Sequence, residues 1–161
     1  TGEFDHLIQI RGSSNVTVAY NQLDNPAGDG VLLGGEAVMT PSQNITIRNN
    51  RMTNPRRCNV AVIWARNVRI TDNVFEKTND FVTSVDIEPN PNNREDAWDI
   101  EVARNSFYVP RQGAVMLYSG QGAKIPTGGN ISVHDNTGSA VWSFYSNVPA
   151  NWQNVTVTNN F

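Results

Sequence analysis

One motif, met six times, constrains this chain more than any other feature. It consists of an Asn or Asp, a β-branched residue, any residue, a second β-branched residue and, six positions after the start, an Asn. The copies run from Asn15 to Asn21, Asn44 to Asn50, Asn67 to Asn73, Asp99 to Asn105, Asn130 to Asn136 and Asn154 to Asn160. Successive starts lie 29, 23, 32, 31 and 24 residues apart. A unit of about 23 residues therefore carries insertions of variable length, which is the mark of a repeat architecture.

Within each copy, two apolar residues flank an outward one (Thr17, Thr46, Arg69, Glu101, Ser132 and Thr156). That alternation has the period of two of a strand. The closing Asn suits a tight bend, because Asn tolerates left-handed backbone. Stacked in successive turns, such amides can bond into a ladder. A large apolar residue follows in four copies, as Leu23, Met52, Phe75 and Phe107, with Gly138 in the fifth. A second apolar strand comes next, as Val31–Leu33, Val60–Val62, Val85–Ile87, Val115–Leu117 and Val141–Ser143, with Ile8–Ile10 from the preceding turn. Pro26, Pro55 and Pro110 share one column of the intervening bend. A meander of hairpins has the same alternation, but it does not keep one strand–bend–strand order with Asn in register. No unit buries its apolar face alone, so the units must stack into a solenoid, a parallel β-helix.

Bulk properties narrow the function classes. The net charge is −3, with 12 Lys and Arg against 15 Asp and Glu and no runs, which gives nucleic acid no field to bind. A single cysteine, Cys58, excludes an internal disulfide. No apolar stretch approaches the roughly 18 residues of a membrane span. Cys/His zinc clusters, glycine-rich phosphate loops and nucleophile elbows are absent from the sequence. The chain opens partway through a turn and stops at Phe161 within a repeat. The expectation is one β-helix domain over residues 1–161, cut from a longer protein or sealed at an end by a partner chain.

The Asn-Val-Thr-Ile-x-x-Asn-x-Phe style of repeat resembles the pectate-lyase-like superfamily of right-handed parallel β-helices, over nearly the whole chain. Gly28–Val31, Asn54–Arg57 and Ser84–Asn90 also resemble segments of bacterial and phage β-helix proteins of the tailspike or polysaccharide-degrading kind. The resemblance implies an all-β, single-stranded right-handed parallel β-helix of about six turns with an Asn ladder. It further implies three strands per turn and a groove on one face where sugars bind. A calcium ion on Asp29, Asp86 or Glu88 would suit the superfamily, but no ligand loop can be read from spacing; no other cofactor is expected.

The long insertions, Gly34–Gln43, Glu88–Trp98, Tyr118–Gly129 and Phe144–Gln153, leave from one corner and would build a wall. The short Trp64–Arg66 connection leaves a notch, and the second-strand sheet becomes the expected groove floor. Its central outward column reads Gln9, Leu32, Ala61, Asp86, Met116, Trp142; two residues on stand Arg11, Gly34, Ile63, Glu88 and Tyr118. Asp86 and Glu88 thus share a face about 6.6 Å apart, a spacing for paired acid and base or for two solvated carboxylates. His6 and Asp29 share a column in adjacent turns, as a proton-transfer pair or as a bend residue beside an imidazole. Arg56, Arg57 and Arg111 could meet carboxylates of an acidic glycan or be plain surface arginines. Trp64, Tyr118 and Trp142 could stack on sugar rings, whereas Trp98 and Trp152 fit better as plugs against the core. His134 falls outside the groove.

Two functions follow. One is a polysaccharide-degrading hydrolase or lyase with Asp86, Glu88, Asp29 and His6 as catalytic candidates. The other is a non-catalytic glycan- or receptor-binding or structural shaft of a phage tail or surface protein, which could form a homotrimer; the outward apolar Leu32, Met116 and Trp142 point to it. Either places the protein outside the cell, on its surface or on a virion.

Overall fold

The computed structural model describes residues 5–35, 40–76, 83–90, 95–108, 113–119, 127–138, 144–146 and 151–161, the last-but-one segment as backbone only. The first turn contains β1 (Ile8–Ile10), β2 (Ser14–Ala19) and β3 (Gln22–Asp24). The second contains β4 (Val31–Leu33), β5 (Ser42–Arg48) and β6 (Arg51–Thr53); the third, β7 (Val60–Val62), β8 (Ala65–Thr71) and β9 (Val74–Glu76). Then come β10 (Val85–Ile87), β11 (Ala97–Ala103) and β12 (Ser106–Tyr108), followed by β13 (Val115–Leu117), β14 (Gly128–His134) and β15 (Thr137–Gly138). The sixth turn supplies β16 (Phe144–Ser146) and β17 (Trp152–Thr158). Like strands stack in parallel, giving a first sheet β1-β4-β7-β10-β13-β16, a second β2-β5-β8-β11-β14-β17 and a third β3-β6-β9-β12-β15. Three strands per turn, all parallel, make a β-helix.

The register follows the repeat. Val16, Ile45, Val68, Ile100, Ile131 and Val155 stack in one column, and Val18, Ile47, Ile70, Val102, Val133 and Val157 in another. Below them the third sheet contributes Met52, Phe75 and Phe107, all at most 1% exposed, with the two phenyl centroids 5.1 Å apart. Burial of one full side chain of this kind is worth about 1.5–3 kcal/mol. Because each turn offers only one layer of these, the core grows by stacking.

The closing Asn residues form the expected ladder. Each side-chain amide from Asn21 to Asn136 donates to the Oδ1 of the next at 2.9–3.0 Å, and each backbone N–H reaches the same oxygen. The backbone reason given for these residues needs correction. Left-handed φ, between 50° and 60°, falls on the opening residues Asn15, Asn44, Asn67, Asp99, Asn130 and Asn154, and on the residue before each closing Asn. The closing Asn is selected by its inward amide, not by its φ. Tyr20 and Arg104 take the strained position without Asn chemistry, at a cost of about 1–2 kcal/mol each.

The opening residues make a second, exposed ladder, Asn67 to Asn44 at 2.8 Å, Asn44 to Asn15 at 3.0 Å, Asn154 to Asn130 at 3.0 Å and Asn130 to Asp99 at 2.8 Å. It breaks between Asp99 and Asn67, because a carboxylate has no N–H to donate to the turn below. Asp99→Asn supplies that donor and keeps the acceptor for Asn130. It is expected to stabilise the protein by about 0.5–1 kcal/mol, read as a rise of about 2–4 °C in Tm. An unchanged or lower Tm counts against the ladder as a stabilising device.

In the first sheet, β4, β7 and β10 are buried at all three residues. The outward residues Leu32 and Ala61 join Cys58 and Ile63 in a second apolar cluster outside the sheet. Over these turns the central column has little contact with water, Leu32 being 7% and Ala61 1% exposed.

The last strand of this sheet is a further correction. Val115 pairs with Phe144, Met116 with Tyr145 and Leu117 with Ser146, so the strand stacked on β13 is Phe144–Ser146, and Val141–Ser143 lies outside the described residues. Gly138 stacks on Phe107, and from Gly138 to Val141 there are only 141 − 138 = 3 steps. The equivalent path from Phe107 to Val115 takes 115 − 107 = 8. Three residues at about 3.3 Å each cannot round the bend. Each triplet has two apolar or aromatic residues followed by Ser, so pattern alone does not separate them. Trp142 lies outside the described residues, as do Arg111 and Pro110.

Candidate functional site

A cleft of about 400 Å³ opens on the outer side of the first sheet. Its base is apolar, from Leu32 and Ile63. One wall carries His6, Gln9 and Arg11 from the first turn with Asp29 and Gly35 from the second; Arg57 follows, and Glu88 and Asn90 come from the fourth. The cleft thus sits where the third turn has its short connection, between longer loops on either side. Gly35, at a φ of 129°, passes over Arg11, where an added Cβ would stand 3.4 Å from Arg11 Nε. Asn90 is pinned by its N–H to Glu95 Oε2 at 2.9 Å.

Three turns place the polar groups by register. Leu7 N–H donates to the Asp29 carbonyl, and Gly30 N–H to that of Cys58, so residues 6, 29 and 58 stack. His6 Nδ1 stands 3.0 Å from Asp29 Oδ2 and 3.1 Å from the Asp29 backbone N–H. A protonated Nδ1 donates to the carboxylate, and a bare Nδ1 accepts from the amide, leaving Oδ2 buried without a donor. We favour the first arrangement, since an orphaned buried carboxylate oxygen is the costlier state. The other oxygen, Oδ1, accepts the Cys58 N–H at 2.9 Å and faces Arg57 Nε at 3.8 Å.

Asp86 is the most perturbed acid. It is 2% exposed, and its pKa is pushed up to about 8. Burial is the main cause, followed by the charge of Glu88, the hydrogen bond between the two carboxyls and the charge of Asp29; Arg57 opposes them. Two carboxyl groups in hydrogen-bonding contact need a proton between them, and Asp86 holds it. Asp86 Oδ2 also lies 3.8 Å from Cys58 Sγ, within reach of a thiol hydrogen bond.

The model of the right-handed beta helix region matches residues 3–161. The chain belongs to the right-handed β-helix family. No curated protein and no solved structure is significantly similar to it.

On this β-helix, the fold gathers four of the residues singled out from sequence, His6, Asp29, Arg57 and Glu88, around one cleft, with Asp86 buried against Glu88. Others stand apart. Trp64 is 6% exposed with a buried, unpartnered Nε1, so it offers no sugar platform. Gly34 explains its burial, since a Cβ there would stand 2.5 Å from Trp64 N. Tyr118 is 36% exposed and Arg56 is exposed, but neither lines the cleft. Trp152 packs in the core and Trp98 is half-buried, which suits their reading as plugs. His134 lies on the second sheet, with Asp135 Oδ2 at 2.7 Å and Glu101 Oε1 at 3.3 Å.

Sequence reasoning placed Arg11 in the column of Glu88 without assigning it a role; a cation beside a carboxylate column was the available signal. Cys58 and Asn90 gave none. Calcium does not fit these residues. Asp29 divides its oxygens between the Cys58 N–H and His6, so they do not turn toward a shared cation. Among the described residues, no three His, Cys, Asp or Glu are arranged to hold a metal, and no helix is long and apolar enough to cross a membrane.

Proposed function

We propose that this β-helix binds a polysaccharide in the cleft and cleaves it by acid–base chemistry. The observation that carries the reading is a carboxyl that keeps its proton to about pH 8, Asp86, in contact with a second carboxyl, Glu88, which opens on the cleft. A proton held near neutrality is what a general acid needs. Glu88 passes it to the glycosidic oxygen as the C–O bond breaks, and Asp86 resupplies it. On the opposite wall, the His6–Asp29 pair takes a proton, from water in a hydrolase or from a sugar C–H in a lyase. Arg11 and Arg57 suit carboxylated sugars. The resemblance of the repeat to pectate-lyase-like and tailspike β-helices supports the substrate class, and a glycan target places the protein outside the cell or on a virion.

Incubation with a panel of acidic and neutral polysaccharides tests this. New reducing ends without ultraviolet absorbance indicate hydrolysis, and with it the unsaturated product of a lyase. Glu88→Gln is expected to lower the rate at least about 100-fold. Cleavage by Glu88→Gln at the wild-type rate overturns the assignment. A second reading rests on the depth of Asp86 and the apolar cluster beside it, which suit a rigid shaft that retains glycan uncut. Retention of a glycan that is never shortened, by a protein sedimenting as a trimer, favours that reading.

A further inference from the structure

We infer that Cys58 is a positioning residue that sets the orientation of both buried acids of the cleft. This deepens the proposed function and rests on the acid–base role given there. The geometry is specific. Cys58 is fully buried, its N–H donates to Asp29 Oδ1 at 2.9 Å, and its Sγ stands 3.8 Å from Asp86 Oδ2. One residue therefore contacts the carboxyl of the turn before it and the carboxyl of the turn after it.

The two acids have few other partners. Apart from the proton it shares with Glu88, Asp86 Oδ1 has no donor, and Oδ2 has the thiol. With Oδ2 tied to Cys58, rotation of the Asp86 carboxyl is blocked and its exchange of a proton with Glu88 keeps one geometry. On its remaining side Cys58 packs with Leu32, Ala61 and Ile63. That apolar cluster keeps water from replacing the thiol. A serine in this place would hold Asp86 more strongly but would put a hydroxyl against apolar carbon, whereas alanine would fill less space and donate nothing. A thiol satisfies both neighbours.

The charged groups facing Asp86 are Glu88 on its own strand and Asp29 and Arg57 from the earlier turns. None of them changes when Cys58 is replaced, so a shift in the titration of Asp86 reports the thiol contact itself. A hydrogen bond to the ionised carboxyl favours that form. Cys58→Ala is thus expected to raise the midpoint of Asp86 by about half to one pH unit, and Cys58→Ser, a better donor, to lower it by a similar amount.

The experiment follows the infrared carbonyl band of the protonated carboxyl against pH in the whole protein, the band being assigned by its loss in Asp86→Asn. Opposite shifts in the two variants support the inference. Should Cys58→Ala fail to fold, a lowered midpoint in Cys58→Ser suffices. Midpoints equal to that of the wild type overturn it and leave Cys58 a packing residue. The readout needs no glycan. A protein that cleaves nothing yet shows the shifts refutes the proposed function alone; one that cleaves but shows none refutes only the role of Cys58.

Discussion

Raising the pH from about 5 to about 9 is expected to destabilise this protein by several kcal/mol, and Asp86→Asn to remove most of that dependence. Asp86 ionises near 3.8 when unfolded and at about 8 when folded. The folded pKa is the higher, so the native state holds a proton that the unfolded chain has lost. This contribution is complete below about pH 4 and disappears as the pH rises through about 8. Its slope reaches about 1.4 kcal/mol per pH unit, and the window spans about four units, so the total is on the order of 5 kcal/mol. Asp24, Asp72 and Asp135 act in the opposite sense. Hydrogen bonds from Thr53, Arg104 and His134 respectively are the leading cause that depresses each, so their contributions vanish as the pH falls through their folded values. They are surface groups, and the acid arm is correspondingly shallow. Urea midpoints across the range give the curve. A flat wild-type profile, or an Asp86→Asn variant with the wild-type slope, sinks the assignment of a buried proton to this residue.

Asn73→Ala is expected to cost about 3–6 kcal/mol, several times the effect of Asn21→Ala. Asn73 is 1% exposed. Its Nδ2 donates to Asn105 Oδ1 at 3.0 Å and to the Ile47 carbonyl at 2.9 Å, while its Oδ1 accepts the Asn50 N–H and side-chain amide, each at 3.0 Å. Truncation to alanine leaves the Asn50 N–H buried without a partner, at about 1–3 kcal/mol, and also removes the ladder bonds and the second donor to the Ile47 carbonyl. Asn21 is exposed and donates only to Asn50 Oδ1 and the Ala19 carbonyl, so water replaces what its truncation removes. Equal urea midpoints for the two variants would falsify the idea that the ladder acts as a buried, continuous network.

How much of this was legible in the sequence differs from one residue class to the next. The stacked Asn columns and the inward Val and Ile columns follow from local pattern, since a period of two and a fixed offset of six leave one way to stack. The pairing of His6 with Asp29 followed from the same columns. The slip of β16 by three residues was legible too, in the length of the bend, but Val141–Ser143 and Phe144–Ser146 both end in Ser after two apolar or aromatic residues and composition does not separate them. The depth of Trp64 and Asp86 was not legible. Outward position in a strand gives a side chain a direction and says nothing about what other turns lay over it.

From the sequence alone came the solenoid, most of its register and the columns in which the acids stand, because these depend on spacing along the chain and on the need of each turn to bury one face; the three strands per turn were implied by the resemblance of the repeat. Only the tertiary structure decided which outward residues meet water. Burial beside an apolar cluster, with Glu88 alongside, leaves Asp86 protonated at neutral pH, and the contact of Cys58 with two carboxyls from different turns exists only once those turns are stacked.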